Sequence, residues 1–378
     1  MSRSLTFQRR GIVEGFFGPL WSMAHRQALF EFGARQGMNT YLYAPKDDPY
    51  HRVRWTEPYP PASWKALRGL IEAAQREKID FVYGFHPGQK LCFSAEKPVR
   101  MLLAKAQRFY DIGIGAFAVL FDDIPSRLEH ERDRRRFAKS LARAEATWME
   151  QIQTLQPSAW KDVEWWLCPS YYTPDPLLAR TFGDFEPQFL ETLARYLPSN
   201  IACLWTGPAV VSKRITLAHV RQIAKRVKHK LIVWDNYPVN DLSMSDELHI
   251  APLQGRDARL PEAVYGYLNN PLLQEELSFI PLATCFDYAA RPTAYDGESS
   301  WTAIVRSRFG AEALPFWRTI RKFCQDSIRS NKIADAPRIS AFDRARLSAA
   351  ITYVRKHRRQ KWAREIRPWL NSMIEAAR

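Results

Sequence analysis

The sequence predicts a (β/α)₈ barrel followed by a small helical region, and three observations carry that reading. Short apolar runs alternate with amphipathic stretches over about the first 290 residues. Several of these runs, such as Ala-Phe-Ala-Val-Leu-Phe at 116–121, are apolar at every position, the pattern of strands buried on both faces of a parallel sheet. Eight runs in that length match the usual size of the barrel. A doubly wound sheet is the alternative, but no G-x-G-x-x-G follows the first run.

In order, the candidate strands are Gly11–Phe17, Asn39–Tyr43, Asp80–Phe85, Ala116–Phe121, Glu164–Leu167, Ile201–Trp205, Leu231–Trp234 and Val264–Leu268. Helical character falls between them, at 24–36, 63–77, 96–111, 129–155, 187–196, 216–228 and 273–281, with Ser63 as an N-cap for the second. The stretch 289–301 (AARPTAYDGESSW) is polar and turn-rich and reads as the barrel exit. The expected division is therefore a barrel at 1–290, a linker at 291–302 and a basic all-helical region at 303–378. That last region reads as three or so helices, with Pro315, Pro337 and Pro368 near their boundaries.

Composition narrows the function classes. Of the 378 residues, 46% are hydrophobic, enough for one large core and an appendage. No apolar run reaches 18 residues, so no membrane-spanning helix is expected. The N-terminal residues lack the apolar core and cleavage site of a secretory signal. Five scattered cysteines (Cys92, Cys168, Cys203, Cys285, Cys324) form no C-x-x-C pair, which argues against a disulfide framework and structural zinc. A cytoplasmic protein fits these features. Eight histidines show no H-E-x-x-H and no close ligand pair, so neither metal nor cofactor is expected. The net charge of +15 is concentrated at the end of the chain: residues 301–378 hold 18 Lys/Arg and 6 Asp/Glu. Such a tail suits an anionic partner, whereas a solvated helical face is the plainer reading and nucleic acid is not expected.

Barrel active sites lie at the C-terminal ends of the strands, so informative residues should follow each run. After Ala116–Phe121 comes Asp122-Asp123-Ile124-Pro125. Two carboxylates at the mouth of a buried strand resist ionising together, and one with a raised pKa can serve as general acid. A helix N-cap or an Asx turn is the alternative for the same residues. Adjacency also constrains mechanism. A two-carboxylate retaining glycosidase sets its carboxyls about 5–5.5 Å apart across the scissile centre. Neighbours on a strand point to opposite faces, so a vicinal pair suits a reaction whose nucleophile is the substrate's own 2-acetamido oxygen. Other polar residues follow the remaining runs: Lys46, Asp47 and Asp48, then Asp235, Asn236, Asn240 and Asp241, then Asn269 and Asn270. Lys46 reads as a donor to a sugar hydroxyl or an anion, or as a surface lysine beside its acidic neighbours, whereas the Asn and Asp residues after the later runs read as sugar-hydroxyl partners or as turn residues. Phe16, Phe17, Tyr43, Tyr171, Tyr172, Trp205 and Trp234 gather near the same ends.

Placed in order, these segments resemble glycoside hydrolase family 84, the O-GlcNAcases and bacterial β-N-acetylglucosaminidases. The matching blocks are Gly11-Ile-Val-Glu-Gly-Phe-Phe-Gly18, Asn39-Thr-Tyr-Leu-Tyr-Ala-Pro-Lys-Asp-Asp48, Leu120-Phe-Asp-Asp-Ile124, Cys168-Pro-Ser-Tyr-Tyr172, Leu204-Trp-Thr-Gly-Pro208, Val233-Trp-Asp-Asn236 with Asn240-Asp241, and Leu268-Asn-Asn-Pro271. The resemblance implies a retaining exo-β-N-acetylglucosaminidase acting through an oxazoline on a β-GlcNAc glycoside or a GlcNAc-modified protein. It implies that Asp122 orients the acetamido group, that Asp123 is general acid and then base, and that Tyr172 helps hold the acetamido group. Asp241 and Asn270 would hold the O4/O6 side, Gly15 and Lys46 would lie near O3, Asn236 near the acetamido or anomeric region, and Trp234 along the methyl pocket. The first block departs from the commoner E-G-F-Y-G by carrying Phe17, which removes a hydroxyl. In some relatives, helices after the barrel aid dimerisation or help form a groove for a polypeptide aglycone. A non-catalytic GlcNAc-binding protein whose basic tail engages an anionic partner is the alternative function.

Overall fold

Strands that are apolar at every position need cover on both faces, and a closed ring of parallel strands inside a ring of helices provides it. The computed structural model describes residues 5–88, 90–324 and 341–375. Strands β1 (Arg9–Glu14), β2 (Thr40–Tyr43), β3 (Asp80–Phe85), β4 (Ala116–Leu120), β5 (Glu164–Cys168), β6 (Ala202–Trp205), β7 (Leu231–Asp235) and β8 (Gly266–Asn269) pair in sequence order, all parallel. The ring closes where Ile12 of β1 faces Asn269 of β8. Helices α1 (Met23–Arg35), α2 (Pro61–Arg76), α3 (Glu96–Tyr110), α4 (Glu131–Arg136), α5 (Leu141–Leu155), α6 (Pro176–Phe182), α7 (Phe189–Tyr196), α8 (Leu217–Val227) and α9 (Glu275–Ala290) fill the connections and follow β8. The predicted barrel is the observed one.

Strand alternation sorts the core into two shells. Val13, Leu42, Val82, Ala118, Trp166, Leu204, Ile232 and Leu268 pack together inside the ring. Their neighbours Ile12, Tyr41, Phe81, Phe117, Trp165, Cys203, Val233 and Tyr267 pack outward against the helices. The outward set ends in polar clamps. Glu14 pairs with Arg26 of α1, whose Nε lies 2.9 Å away, and both side chains are buried. Asp235 accepts from Arg256 Nε and Nη2 at 2.7 and 2.6 Å and also from the Tyr267 hydroxyl. Asn269 donates to the Tyr237 carbonyl at 2.9 Å. These bonds fix the strand ends from behind.

Beyond α9 come α10 (Gly297–Phe309), α11 (Leu314–Cys324), α12 (Ala341–Lys356) and α13 (Lys361–Glu375). They share a second core with one face of α9, built from residues such as Ile280, Trp301, Trp317, Val354 and Ile366. Glu365 of α13 accepts from the backbone N–H of Glu276 and Leu277 at 2.9 and 3.1 Å, so the tail caps the first turn of α9. No helix among the described residues is long and apolar enough to cross a membrane. The five cysteines are free thiols.

Several expected elements differ. The helix expected at 129–155 is two helices, because Ala138 and Lys139 adopt φ of +50 and +65° and Ser140 caps α5 anew. Ser63 lies inside α2, which starts at Pro61, a residue suited to the first turn. The helix expected at 273–281 runs through Pro281 to Ala290, held by burial along most of its length. The stretch expected as linker is helical from Gly297, because the Asp296 side chain accepts from Ser299 N at 2.7 Å. The seven-residue α6 was not expected; Asp175 caps it and Pro176 starts it. Pro337 lies outside the described residues.

The clamp behind β7 makes a stability prediction. Arg256→Met strands a buried carboxylate and should cost about 3–5 kcal/mol. The double variant Asp235→Leu/Arg256→Met should recover at least half of that loss in urea unfolding. A double variant as unstable as the single one would contradict the assignment.

Candidate active site

Inward positions continue past the strand ends and converge on one cavity. Counting in twos from the inner core gives Gly15 after Val13, Lys46 after Ala44, Asp122 after Leu120, Tyr172 beyond Cys168, Asn236 after Trp234 and Asn270 after Leu268. All of these, with Trp234, Asp123 and Asp241, line a single cavity of about 390 Å³ at the C-terminal mouth of the barrel. The structure thus brings all nine sequence-predicted residues together. Cys168, Asp175, Leu177, Thr206, Val210 and Met244 also line it and were not anticipated. Thr206 continues the inward count from Leu204, so alternation alone would have found it.

The two aspartates reach the cavity by different routes. Both lie beyond the last residue of β4, in a turn rather than on the strand. Asp122 keeps the inward parity. Asp123 has the outward parity but adopts φ +62°, a left-handed conformation that costs a residue with a Cβ about 1 kcal/mol and is least costly for Asp and Asn. That turn brings its carboxyl to the same cavity, and the Tyr172 hydroxyl donates to its Oδ1 at 3.0 Å.

Their electrostatics separate in opposite directions. Burial acts against the charge of Asp122, but the Lys46 ammonium, which donates to Oδ2, holds its pKa below the ordinary carboxylate value. Asp123 is raised, first by burial and then by the charge of Asp122. The arrangement therefore favours the charged form of Asp122 and the protonated form of Asp123, so the two neighbours are biased toward opposite states. Oδ1 of Asp122 is buried and has no hydrogen-bond partner among the described residues. Burial also raises Asp241, which accepts from the Phe17 N–H at 2.8 Å.

Asparagines and the indole frame the other wall. Asn236 Oδ1 accepts from Trp234 Nε1 at 2.9 Å and from Asn270 Nδ2 at 3.0 Å. Asn236 Nδ2 donates to the Val210 carbonyl at 2.8 Å, and Gly15 N–H donates to Asn270 Oδ1 at 3.2 Å. Gly15 is required by the indole: a Cβ there would lie 2.3 Å from Trp234 Cζ2. Other polar candidates turn away. Asp48 accepts from the Tyr43 and Tyr59 hydroxyls at 2.7 and 2.6 Å. Asn240 joins the Glu247 carbonyl, Gln274 and the Leu273 N–H. Asp235 and Asn269 belong to the clamps described above. Among the described residues, no group of three or more His, Cys, Asp or Glu side chains is placed to hold a metal ion.

The family model for beta-N-acetylglucosaminidase matches residues 10–321. Protein O-GlcNAcase of Rattus norvegicus is 33% identical over 282 residues, which span 72% of this chain and 29% of that protein, and the Mus musculus protein matches equally. The chain thus spans under a third of the length of these relatives. A solved structure of a Thermobaculum terrenum O-GlcNAc hydrolase mutant aligns with a TM-score of 0.84 at 32% identity, covering 97% of this chain and 81% of that one.

Beside the turn that follows β5 sits one more buried carboxyl. Glu145 of α5 accepts from the Ser170 N–H at 3.3 Å on both oxygens, and burial pushes its pKa up to about 8. Between the ordinary glutamate pKa and about 8 the folded chain keeps a proton that the unfolded chain has lost, so stability falls as pH rises through that window. Glu145→Gln removes this slope. Its Tm relative to wild type should climb by several degrees from pH 5 to pH 8.5; parallel Tm curves would contradict the protonated state.

Proposed function

The chain belongs to glycoside hydrolase family 84, the β-N-acetylglucosaminidases, and from that premise we propose that it removes terminal β-linked N-acetylglucosamine with retention, by substrate-assisted catalysis. One observation carries the reading: adjacent carboxyls in one cavity are driven apart in pKa, and the one held in its charged form keeps a buried oxygen without a partner among the described residues. Burying an unpaired acceptor is costly, and the N–H of a 2-acetamido group is the donor that would relieve it.

In the first step Asp122 accepts that N–H and turns the acetamido carbonyl oxygen toward C1. Asp123 gives its proton to the glycosidic oxygen. The C1–O bond breaks with its electrons on the leaving oxygen, and the carbonyl oxygen bonds to C1 to form an oxazoline that keeps the N–H proton, its positive charge facing the Asp122 carboxylate. In the second step Asp123, now a carboxylate, takes a proton from water. The water oxygen bonds to C1, the oxazoline C1–O bond breaks, and the amide returns. Two inversions at C1 give retention. Tyr172 steadies Asp123 and borders the acetamido group. Trp234 lines the methyl pocket, with Asn236 beside the anomeric region. Asp241 and Asn270 hold the O4/O6 side, with Gly15 and Lys46 toward O3. Phe17 contributes its N–H, through Asp241, where a hydroxyl is lost. The substrate is a β-GlcNAc glycoside, a GlcNAc-modified protein included.

A second reading, a GlcNAc-binding protein that engages an anionic partner through its tail, is favoured by one feature. A cleft of about 410 Å³ between α12 and α13 is lined by Arg355, Arg358, Arg364 and Arg367 and, among the described residues, by no acidic side chain. Turnover decides between the two. Wild type should hydrolyse an aryl β-N-acetylglucosaminide and leave the matching β-glucoside, which lacks the internal nucleophile, intact. Asp123→Asn should lose about 10²–10⁴-fold in kcat, less when the leaving group is good. Binding without turnover would favour the second reading, and appreciable β-glucosidase activity would sink the substrate-assisted mechanism.

The pH profile tests the Lys46 charge. Activity requires Asp122 ionised and Asp123 protonated, so the acid limb reports Asp122 and the alkaline limb Asp123. Lys46 lowers both groups. Lys46→Met should therefore move both limbs of kcat/KM to higher pH. Limbs that stay in place, or move to lower pH, would contradict this electrostatic assignment.

A further inference from the structure

The carbonyl between the two aspartates has its own donor. His86, the first residue after β3, is fully buried, and its Nε2 lies 2.8 Å from the Asp122 backbone oxygen. A carbonyl only accepts, so the ring donates from Nε2 and keeps Nδ1 as an acceptor. No other donor reaches that carbonyl among the described residues. Behind it, His51 is held the same way, its Nδ1 2.8 Å from the Gly84 carbonyl and its ring centroid 6.2 Å from that of His86. The backbone N–H of His86 in turn donates to the His51 carbonyl at 3.2 Å. Burial, with the Lys46 charge second, keeps His86 neutral, its pKa lowered to about 3.

We propose that His86 is a positioning residue for the reaction: its Nε2–H fixes the peptide between Asp122 and Asp123, so that Asp123 keeps the left-handed backbone that brings its carboxyl to the cavity. The peptide plane is shared. Its carbonyl belongs to Asp122 and its N–H to Asp123, so rotating it changes ψ of one aspartate and φ of the next together. Asp123 has the outward parity of β4 and reaches the cavity only through its φ of +62°. A left-handed conformation at a residue with a Cβ persists where its surroundings over-determine it. Among the described residues, the imidazole supplies one bond that does so, and the Tyr172 hydroxyl on Oδ1 supplies another. His86 touches neither substrate nor reacting atoms; it acts through the acid.

This inference rests on the proposed hydrolase reading, and the two fail separately. The full chain is assayed on a glycoside with a poor, alkyl leaving group and on an aryl glycoside with a good one. His86→Phe and His86→Leu remove the donor, whereas His86→Gln and His86→Asn keep an N–H donor. The donor-free variants should lose about 100-fold in kcat on the alkyl substrate, the scale expected when a catalytic group is misplaced by about 1 Å. Their KM should change little, and their loss on the aryl substrate should be smaller. At least one amide variant should recover about 10-fold or more of that kcat, since its N–H can restore the bond. Donor-free variants that fold with unchanged Tm and retain wild-type kcat on the alkyl substrate would overturn the proposal. Equal loss in the folded donor-bearing and donor-free variants would also overturn it. An inactive wild type would instead overturn the hydrolase reading.

Discussion

The ion pair between Lys46 and Asp122 is the interaction on which the rest of the site depends. Two adjacent carboxyls in a buried turn cannot both hold a negative charge, and without a nearby cation neither would favour it. Lys46 assigns the charge to Asp122. Burial, with the charge on Asp122 second, then biases Asp123 toward its protonated form. A single cation thus creates two different groups from one residue type: an acceptor with a buried free oxygen and a donor steadied by a tyrosine. Everything around the cavity can be read as serving that difference.

The barrel serves it by fixing where strand ends stop. On β1, β7 and β8 the last outward residue is polar and tied to structure behind the sheet: Glu14 to Arg26, Asp235 to Arg256 and Tyr267, Asn269 to a carbonyl. The next residue, now inward, lines the cavity: Gly15, Asn236 and Asn270. The same dipeptide carries a clamp and a functional group, and alternation keeps them apart. Placing site residues on anchored strand ends gives the positional precision that mobile loops lack. The C-terminal helices extend this support, since Glu365 caps the helix that follows β8.

Much of this was legible in the sequence. Fully apolar runs such as 116–121 reveal the strands, and most of the nine cavity residues lie just past their ends, whereas Trp234 lies within β7 and Gly15 was singled out only by the family resemblance. Polar residues were harder to sort. Asp235 and Asn236, or Asn269 and Asn270, are chemically alike, and only inward parity separates anchor from site. Asn240 and Asp241 lie in a loop beyond β7, where parity has lapsed, so only the folded geometry divides them. Asp123 breaks parity through a backbone conformation that no side-chain pattern records. His86 was hidden because a lone buried histidine has no motif, although counting inward from Val82 reaches it. Two helix breaks, after Phe137 and before Gly297, depend on left-handed residues and on a cap whose strength sequence periodicity does not show.

The claim that most needs testing is that the substrate's own amide is the nucleophile, aimed by Asp122. The direct measurement is kcat/KM for a series of aryl glycosides whose N-acyl group runs from acetyl through fluoroacetyl and difluoroacetyl to trifluoroacetyl. Each fluorine withdraws electrons from the carbonyl oxygen while adding little volume. Nucleophilic participation predicts a steep fall along the series. A level series would contradict it and place the nucleophile on the protein or on water.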